Sequence, residues 1–373
     1  KRTFYDYKAK YSKAAKQIID TGLNCLGTTT TPEFGLTGTT ESLRFGATCN
    51  PWNTAYSTGG SSGGSSALVA SGVIPIAHAN DGAGSIRIPA SCCGLVGLKA
   101  SRGRIKDKEV PSYLPANILH DGVVTRSVRD TWAFHAEIEK NIPATEFPPI
   151  GDISESFPKN LKIAVLTENC LGEDSSAELV QATHDVARLC ESLGHEVEMI
   201  SNPFYEKFDE DFWLLWAHFG FLIRYSVGKE LSSKFDHTKL EQWPKYLISR
   251  HWRNIHKVPV AFWRLRRFVS QYETFMQNFD ILLTPTLGTT VPKLGFFGPE
   301  VSGQEHWERI NDFLPFTKYQ NISGAPAITL PCGTDLKGLP IGIQLSSRLG
   351  EDRLLLKLSL QLEQNSNWKS LNK

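Results

Sequence analysis

Two small-residue blocks, Thr58-Gly59-Gly60-Ser61-Ser62-Gly63-Gly64-Ser65-Ser66 and Asp81-Gly82-Ala83-Gly84-Ser85-Ile86-Arg87, decide how this chain is read. Ser61 and Ser85 stand 24 residues apart. Between the blocks lie a small-residue helix candidate (67–71) and a short apolar run (73–77). Gly/Ser-rich blocks are commonly turns or linkers. Here they alternate with residues that seek burial: Leu68, Val69, Val73, Ile74, Ile76, Ile86 and Ile88. A buried-looking segment, Leu95-Val96-Gly97-Leu98, follows. Flexible linkers do not alternate with core material on this scale. A phosphate-cradling loop needs a lysine after its second glycine, and none follows Gly63 or Gly64. Gly59-Gly60-Ser61-Ser62-Gly63 matches G-x-S-x-G, a nucleophile elbow that would make Ser61 the nucleophile. That elbow follows a buried strand. The preceding Asn50-Pro51-Trp52-Asn53-Thr54-Ala55-Tyr56-Ser57 is loop-like and broken by proline, which weakens the match.

The stretch, continued through Gly94-Leu95-Val96-Gly97-Leu98-Lys99-Ala100-Ser101-Arg102-Gly103-Arg104, resembles the amidase signature family. Flanking words agree in order: Thr31-Pro32-Glu33-Phe34-Gly35, Gly46-Ala47-Thr48-Cys49-Asn50-Pro51, Val124-Thr125-Arg126-Ser127-Val128-Arg129-Asp130, Asp280-Ile281-Leu282-Leu283-Thr284-Pro285-Thr286, Asn321-Ile322-Ser323-Gly324-Ala325-Pro326 and Gly338-Leu339-Pro340-Ile341-Gly342-Ile343-Gln344. Within the family, the wording around both serines is most similar to the aminohexanoate cyclic-dimer hydrolases.

The resemblance implies a Ser–Ser–Lys site. Ser85 is then the nucleophile, and Ser61, after a cis Gly60–Ser61 peptide, relays its proton to a neutral lysine. A serine hydroxyl attacks well only when a neighbour takes its proton. Backbone N–H groups of Gly82, Ala83, Gly84 and Ser85 form the implied oxyanion hole. A short helix from Ser85 through Ser91 is expected to add positive potential beneath it. Asp81, Arg87, Gly60 and Ser62 support the site. Asp81 and Arg87 either pair to brace the loop or form a surface ion pair. No metal or cofactor is implied.

The family's lysine lies several dozen residues before the first serine, and the usual V-K-D-type segment is absent here. Lys1, Lys8, Lys10, Lys13 and Lys16 lie on an amphipathic stretch and read as a solvated face. The sequence is therefore read as an N-terminally truncated member with little or no activity as it stands. At Gly27-Thr28-Thr29-Thr30-Thr31, Thr28 and Thr30 replace polar residues usual in the family.

Composition sets further bounds. The 373 residues, 40% hydrophobic, suffice for one large α/β domain spanning 1–373. A net charge of +1 gives no case for nucleic acid or an anionic membrane surface. No apolar run approaches a membrane span. Seven cysteines, an odd number without metal spacing, suit a reducing, cytoplasmic setting. Cys92 and Cys93 read as small packed residues; a cysteine nucleophile there lacks a partner base. His78, the histidine nearest the motif, reads as a packed neighbour.

Helices are expected over 8–20, 125–138 (capped by Ser127 or Thr125), 175–193 and 353–363. Strands are expected over 23–26, 161–166, 196–200, 280–285, 327–330 and 341–344. This alternation predicts one large mixed, twisted β-sheet covered by helices on both faces. Residues 202–278 carry five of the nine tryptophans and form a helical aromatic-rich subregion. Its Phe212–Trp216–Phe219 spacing fits a packed core, with the alternative that one face lines the substrate pocket. Arg250, Arg253, Arg264, Arg266 and Arg267 read as solvated, or as an attractor for a carboxylate product.

The expected activity is hydrolysis of a small linear or cyclic carboxylic amide through an acyl-enzyme, with a homodimer left open. The rival is a non-catalytic homologue or the partner-dependent amidotransferase A-like subunit.

Overall fold

In the central strands, alternate residues enter opposite cores, as a sheet buried on both faces requires. Ile281 and Leu283 pack with Ile163 and Val165 on one side, while Leu282 and Ala164 join the core on the other. The structure, a computed structural model, describes residues 12–106, 112–141, 146–154, 156–227 and 235–366.

Eight strands form the main sheet: β1 Ile76–Asp81, β2 Val96–Lys99, β3 His120–Thr125, β4 Lys162–Val165, β5 Glu196–Met199, β6 Ile281–Pro285, β7 Ala327–Thr334 and β8 Pro340–Ser346. Their order is β1-β3-β2-β7-β8-β6-β4-β5. Pairing is antiparallel from β1 to β6, and parallel from β6 through β4 to β5. The sheet is therefore mixed.

Helix α1 spans Lys13–Asp20, α2 Gly63–Ala70, α3 Arg87–Cys93, α4 Val128–Asn141 and α5 Ala177–Ser192. They are followed by α6 Phe208–Leu222, α7 Gln242–Arg253, α8 Val258–Met276, α9 Gly303–Phe313, α10 Lys318–Ser323 and α11 Asp352–Asn365. Residues of α5 and α11 (Ala187, Cys190, Leu355, Leu356, Leu358, Leu362) fill one core. Residues of α2, α3, α6 and α8 (Val69, Ile88, Phe212, Phe268) fill the other.

The expected elements at 125–138, 161–166, 175–193, 196–200, 280–285, 327–330, 341–344 and 353–363 are present with shifted ends. Ser127 caps α4 through Asp130 N–H at 3.1 Å. Of the 8–20 helix, residues 8–11 lie outside the described residues. Four expectations change. Residues 23–26 form no strand: Leu23 and Leu26 are exposed and no ladder partner runs beside them. Within the apolar run 73–77, residues 73–75 form a turn and Ile76 and Ala77 already belong to β1, while Val73 is at the surface and not buried. Helix α3 begins at Arg87, not Ser85. Helix α2 begins inside the glycine block, at Gly63. A Cβ on Gly63 would sit 2.3 Å from Thr58 Oγ1, and one on Gly64 2.5 Å from the Thr30 carbonyl oxygen. The intrinsic helix cost of glycine is offset by an approach no side chain permits.

Helix α3 meets β8 at Gly342, where an added Cβ would lie 3.0 Å from Ser91 Cα and closer still to the Ser91 side chain. Gly342→Ala is expected to destabilise the fold by about 1–3 kcal/mol through overpacking, read as a lower urea midpoint at unchanged slope.

Candidate active site

The first loop is built by hydroxyls. Thr40 Oγ1 donates to the Gly59 carbonyl at 2.9 Å and accepts from Gly63 N–H at 3.1 Å. Ser57 Oγ accepts from Gly59 N–H at 3.0 Å. The Gly60–Ser61 peptide is cis. A Cβ on Gly60 would lie 2.4 Å from the Thr39 carbonyl oxygen, so the backbones touch directly. Ser62 Oγ donates to the Asn80 carbonyl at 3.3 Å and accepts from Asn80 N–H at 3.2 Å. Those two bonds tie the Ser61 loop to β1, the strand that delivers Asp81 and the second loop.

The second loop folds around Asp81. Its carboxylate accepts Gly84 N–H at 2.7 Å and Ile86 N–H at 3.2 Å. Arg87 donates to it through Nε at 2.9 Å and Nη2 at 3.0 Å. Both residues are fully buried, so the surface-pair alternative falls. The remaining Arg87 N–H groups reach Asn321 Oδ1 (2.6 Å), Gln344 Oε1 (2.7 Å) and Gln320 Oε1 (3.2 Å). Asn321 Nδ2 returns to Asp81 Oδ1 at 2.9 Å and to the Asp81 carbonyl at 3.1 Å. Burial alone pushes the Asp81 carboxyl up. The Arg87 charge and the bonds from Arg87 and Asn321 outweigh it and hold Asp81 below the usual carboxylate range.

Ser61 and Ser85 are both buried, at 7% and 5% exposure. Among the described residues neither hydroxyl hydrogen-bonds to a protein group, and no bond joins the two. A chain of contacts links the two serine loops. A Cβ on Gly35 would lie 3.3 Å from Ser61 Oγ. The neighbouring Leu36 carbonyl accepts Trp216 Nε1–H at 2.9 Å. The Trp216 ring reaches within 3.1 Å of a Cβ placed on Gly82, and Leu119 closes the same point. Trp216 stacks in the core on Phe212, as the packed-core expectation has it, and its ring also lies against the Ser85 loop at Gly82.

The N–H groups divide unequally. Gly84 N–H is turned into Asp81, which corrects the expectation that it joins an oxyanion hole. The N–H groups of Gly82, Ala83 and Ser85 meet no protein acceptor among the described residues.

Other candidates separate from this place. Burial pushes both the Cys92 and Cys93 thiols far up, which removes them as thiolate nucleophiles. His78 is not packed: its ring is half-exposed and meets Asp121 at 2.8 Å. Arg264 pairs with the buried Asp211, and Arg250 lies 3.5 Å over Trp307; these two are not simply solvated. Lys99 is fully buried, donates to the Ala100 carbonyl at 3.0 Å, and is drawn down to about 7 by burial and then by Arg87. Lys318 is also buried and pairs with Asp209 at 2.8 Å. Neither lysine bonds Ser61. Among the described residues no three His, Cys, Asp or Glu side chains gather as a metal site. No described helix is long and apolar enough to cross a membrane.

The sequence reading missed Thr317, Gln320, Asn321 and Gln344 as site residues. Asn321 and Gln344 stood inside quoted family words, which was the available signal.

The amidase family model matches residues 2–356, and the chain belongs to that family. A Mycobacterium tuberculosis protein provisionally named amidase AmiC is 42% identical over 358 residues, covering 96% of this chain and 75% of its own length. The 6-aminohexanoate-cyclic-dimer hydrolase of Paenarthrobacter ureafaciens is 33% identical over 372 residues, covering 93% of this chain and 74% of its own. A solved structure of 6-aminohexanoate cyclic dimer hydrolase superposes with a TM-score of 0.85 at 32% identity, covering 97% of this chain and 79% of that one. The chain is thus an α/β enzyme of the amide-hydrolysing amidase family.

Two outcomes test this geometry. Arg87→Met leaves Asp81 buried without its cation and is expected to cost about 3–5 kcal/mol, measured by denaturant unfolding. Glu33, two residues before Gly35, is raised to about 7, chiefly by burial. Its folded value lies above the ordinary value of 4.5, so its contribution is complete below that pH and is lost as pH rises towards 7. Wild-type stability should fall relative to Glu33→Gln across that window, read as unfolding midpoints at several pH values.

Proposed function

We propose that this chain hydrolyses a small linear or cyclic carboxylic amide through an acyl-enzyme on Ser85. The supporting observation is the Ser85 loop, which presents a buried hydroxyl together with the uncommitted N–H groups of Gly82, Ala83 and Ser85. The oxygen of Ser85 attacks the amide carbonyl carbon, and the carbonyl oxygen becomes an oxyanion held by those N–H groups. The Ser85 proton passes to Ser61, and from the Ser61 side a proton reaches the leaving nitrogen. The C–N bond breaks, leaving an ester on Ser85. Water then attacks the ester and releases the carboxylic acid. Ser61 in turn needs a base; in the family a neutral lysine takes that role, and the V-K-D-type segment that carries it is absent from this sequence.

The absence of a Ser61–Ser85 bond accords with a site that tightens on substrate, since catalytic hydrogen bonds are often long in unliganded enzymes. The ring of Trp216 and the side chain of Leu119 beside Gly82 favour an apolar acyl or amine group. That fits the small amide opened by the 6-aminohexanoate-cyclic-dimer hydrolases.

A fluorophosphonate probe tests the assignment. Slow labelling of the chain is expected, abolished by Ser85→Ala and reduced by about 10²–10⁴-fold in Ser61→Ala, the usual range for proton transfer. Labelling that survives Ser85→Ala but not Ser61→Ala would make Ser61 the nucleophile. A screen of linear and cyclic amides then identifies the substrate, and co-purified partner subunits would point to an amidotransferase.

A further inference from the structure

We propose that Thr317 is a positioning residue for acyl transfer: its hydroxyl fixes the Ala83–Gly84 peptide so that the loop turns N–H groups, and no carbonyl, towards the reacting oxygen. The proposal rests on the Ser85 acyl-enzyme reading.

A peptide unit is planar, so the Ala83 carbonyl and Gly84 N–H point in opposite directions and turn together. Both ends are held. Thr317 Oγ1 donates to the Ala83 carbonyl at 2.7 Å, and Gly84 N–H donates to Asp81 Oδ1 at 2.7 Å. Thr317 is fully buried. It also presses on the loop: a Cβ on Gly84 would lie 2.6 Å from Thr317 Oγ1, and Gly84 has φ of +115°. Only glycine meets both conditions.

Thr317 stands at the entry to α10. That helix supplies Gln320 and Asn321 to Arg87, and Asn321 to Asp81. One short helix therefore grips the nucleophile loop at its carbonyl and at its carboxylate. Without the hydroxyl, the Ala83 carbonyl becomes a buried acceptor with no donor, a state that proteins avoid. Rotation of the peptide would relieve it. The same rotation breaks the Asp81 contact and can swing a carbonyl oxygen to where the oxyanion forms, where two negative oxygens repel.

Thr317→Val keeps the side-chain shape and removes the hydroxyl; Thr317→Ser keeps the hydroxyl. With an alkyl fluorophosphonate on the full chain, the maximal labelling rate of Thr317→Val should fall about 10–100-fold. The half-saturating probe concentration should stay within about 2-fold, and Thr317→Ser should recover most of the rate. A group that only packs would lower thermal stability without this split or this rescue. The second readout is the crystal structure of Thr317→Val, or of Thr317→Ala if the valine variant does not fold. A rotated Ala83–Gly84 peptide is expected. An unrotated peptide overturns the proposal, as does labelling at the wild-type rate. If the wild-type chain is never labelled, the acyl-enzyme reading fails, while the orientation of the peptide in the variant still decides the role of Thr317.

Discussion

The site depends on a guanidinium placed where water cannot reach it. Arg87 brings a full charge into the interior, a cost repaid only when the geometry around it is complete. Here all of its N–H groups find acceptors. Those acceptors come from the end of β1 (Asp81), from α10 (Gln320, Asn321) and from β8 (Gln344). Three segments far apart in sequence are thereby fixed to one planar group. Between Asp81 and Arg87 the loop is Gly82-Ala83-Gly84-Ser85, small residues, followed by Ile86, which anchors it in the core. Its shape is imposed from below by the carboxylate it wraps.

A second constraint is the division of main-chain groups. In a loop of seven residues, some N–H donors are used to hold the loop and others are left without a protein acceptor. Asp81 takes those of Gly84 and Ile86. The donors of Gly82, Ala83 and Ser85 meet no protein acceptor among the described residues. The Ser85 loop in this sense sorts its donors, and the small side chains of Gly82, Ala83 and Gly84 obstruct neither direction.

Much of this was legible in the sequence. The strands at 161–166, 280–285 and 341–344 announce themselves by apolar, β-branched content, because a sheet covered on both faces leaves no polar side. The paired small-residue blocks singled out Ser61 and Ser85, and the fold buries both. What escaped followed from long-range contacts. Leu23 and Leu26 look like strand residues, yet pairing requires a neighbour that local pattern does not reveal. Helix α2 starts on Gly63-Gly64, against propensity, because of Thr30 and Thr58 packed beside it. Gly84 reads locally as an oxyanion donor, but its N–H is held by the Asp81 carboxylate. Thr317 carries no local sign at all; its meaning lies in a carbonyl 234 positions away in the chain.

The Leu36 carbonyl accepts two indole N–H groups, from Trp216 at 2.9 Å and from Trp243 at 2.8 Å. The turn beside Ser61 is thus stitched to two helices of the aromatic subregion. These parts form one inheritable unit. A chimera that exchanges 202–278 for the matching segment of a relative, while keeping 33–36, puts the Leu36 carbonyl against foreign side chains, and the disturbance reaches the turn that packs on Ser61.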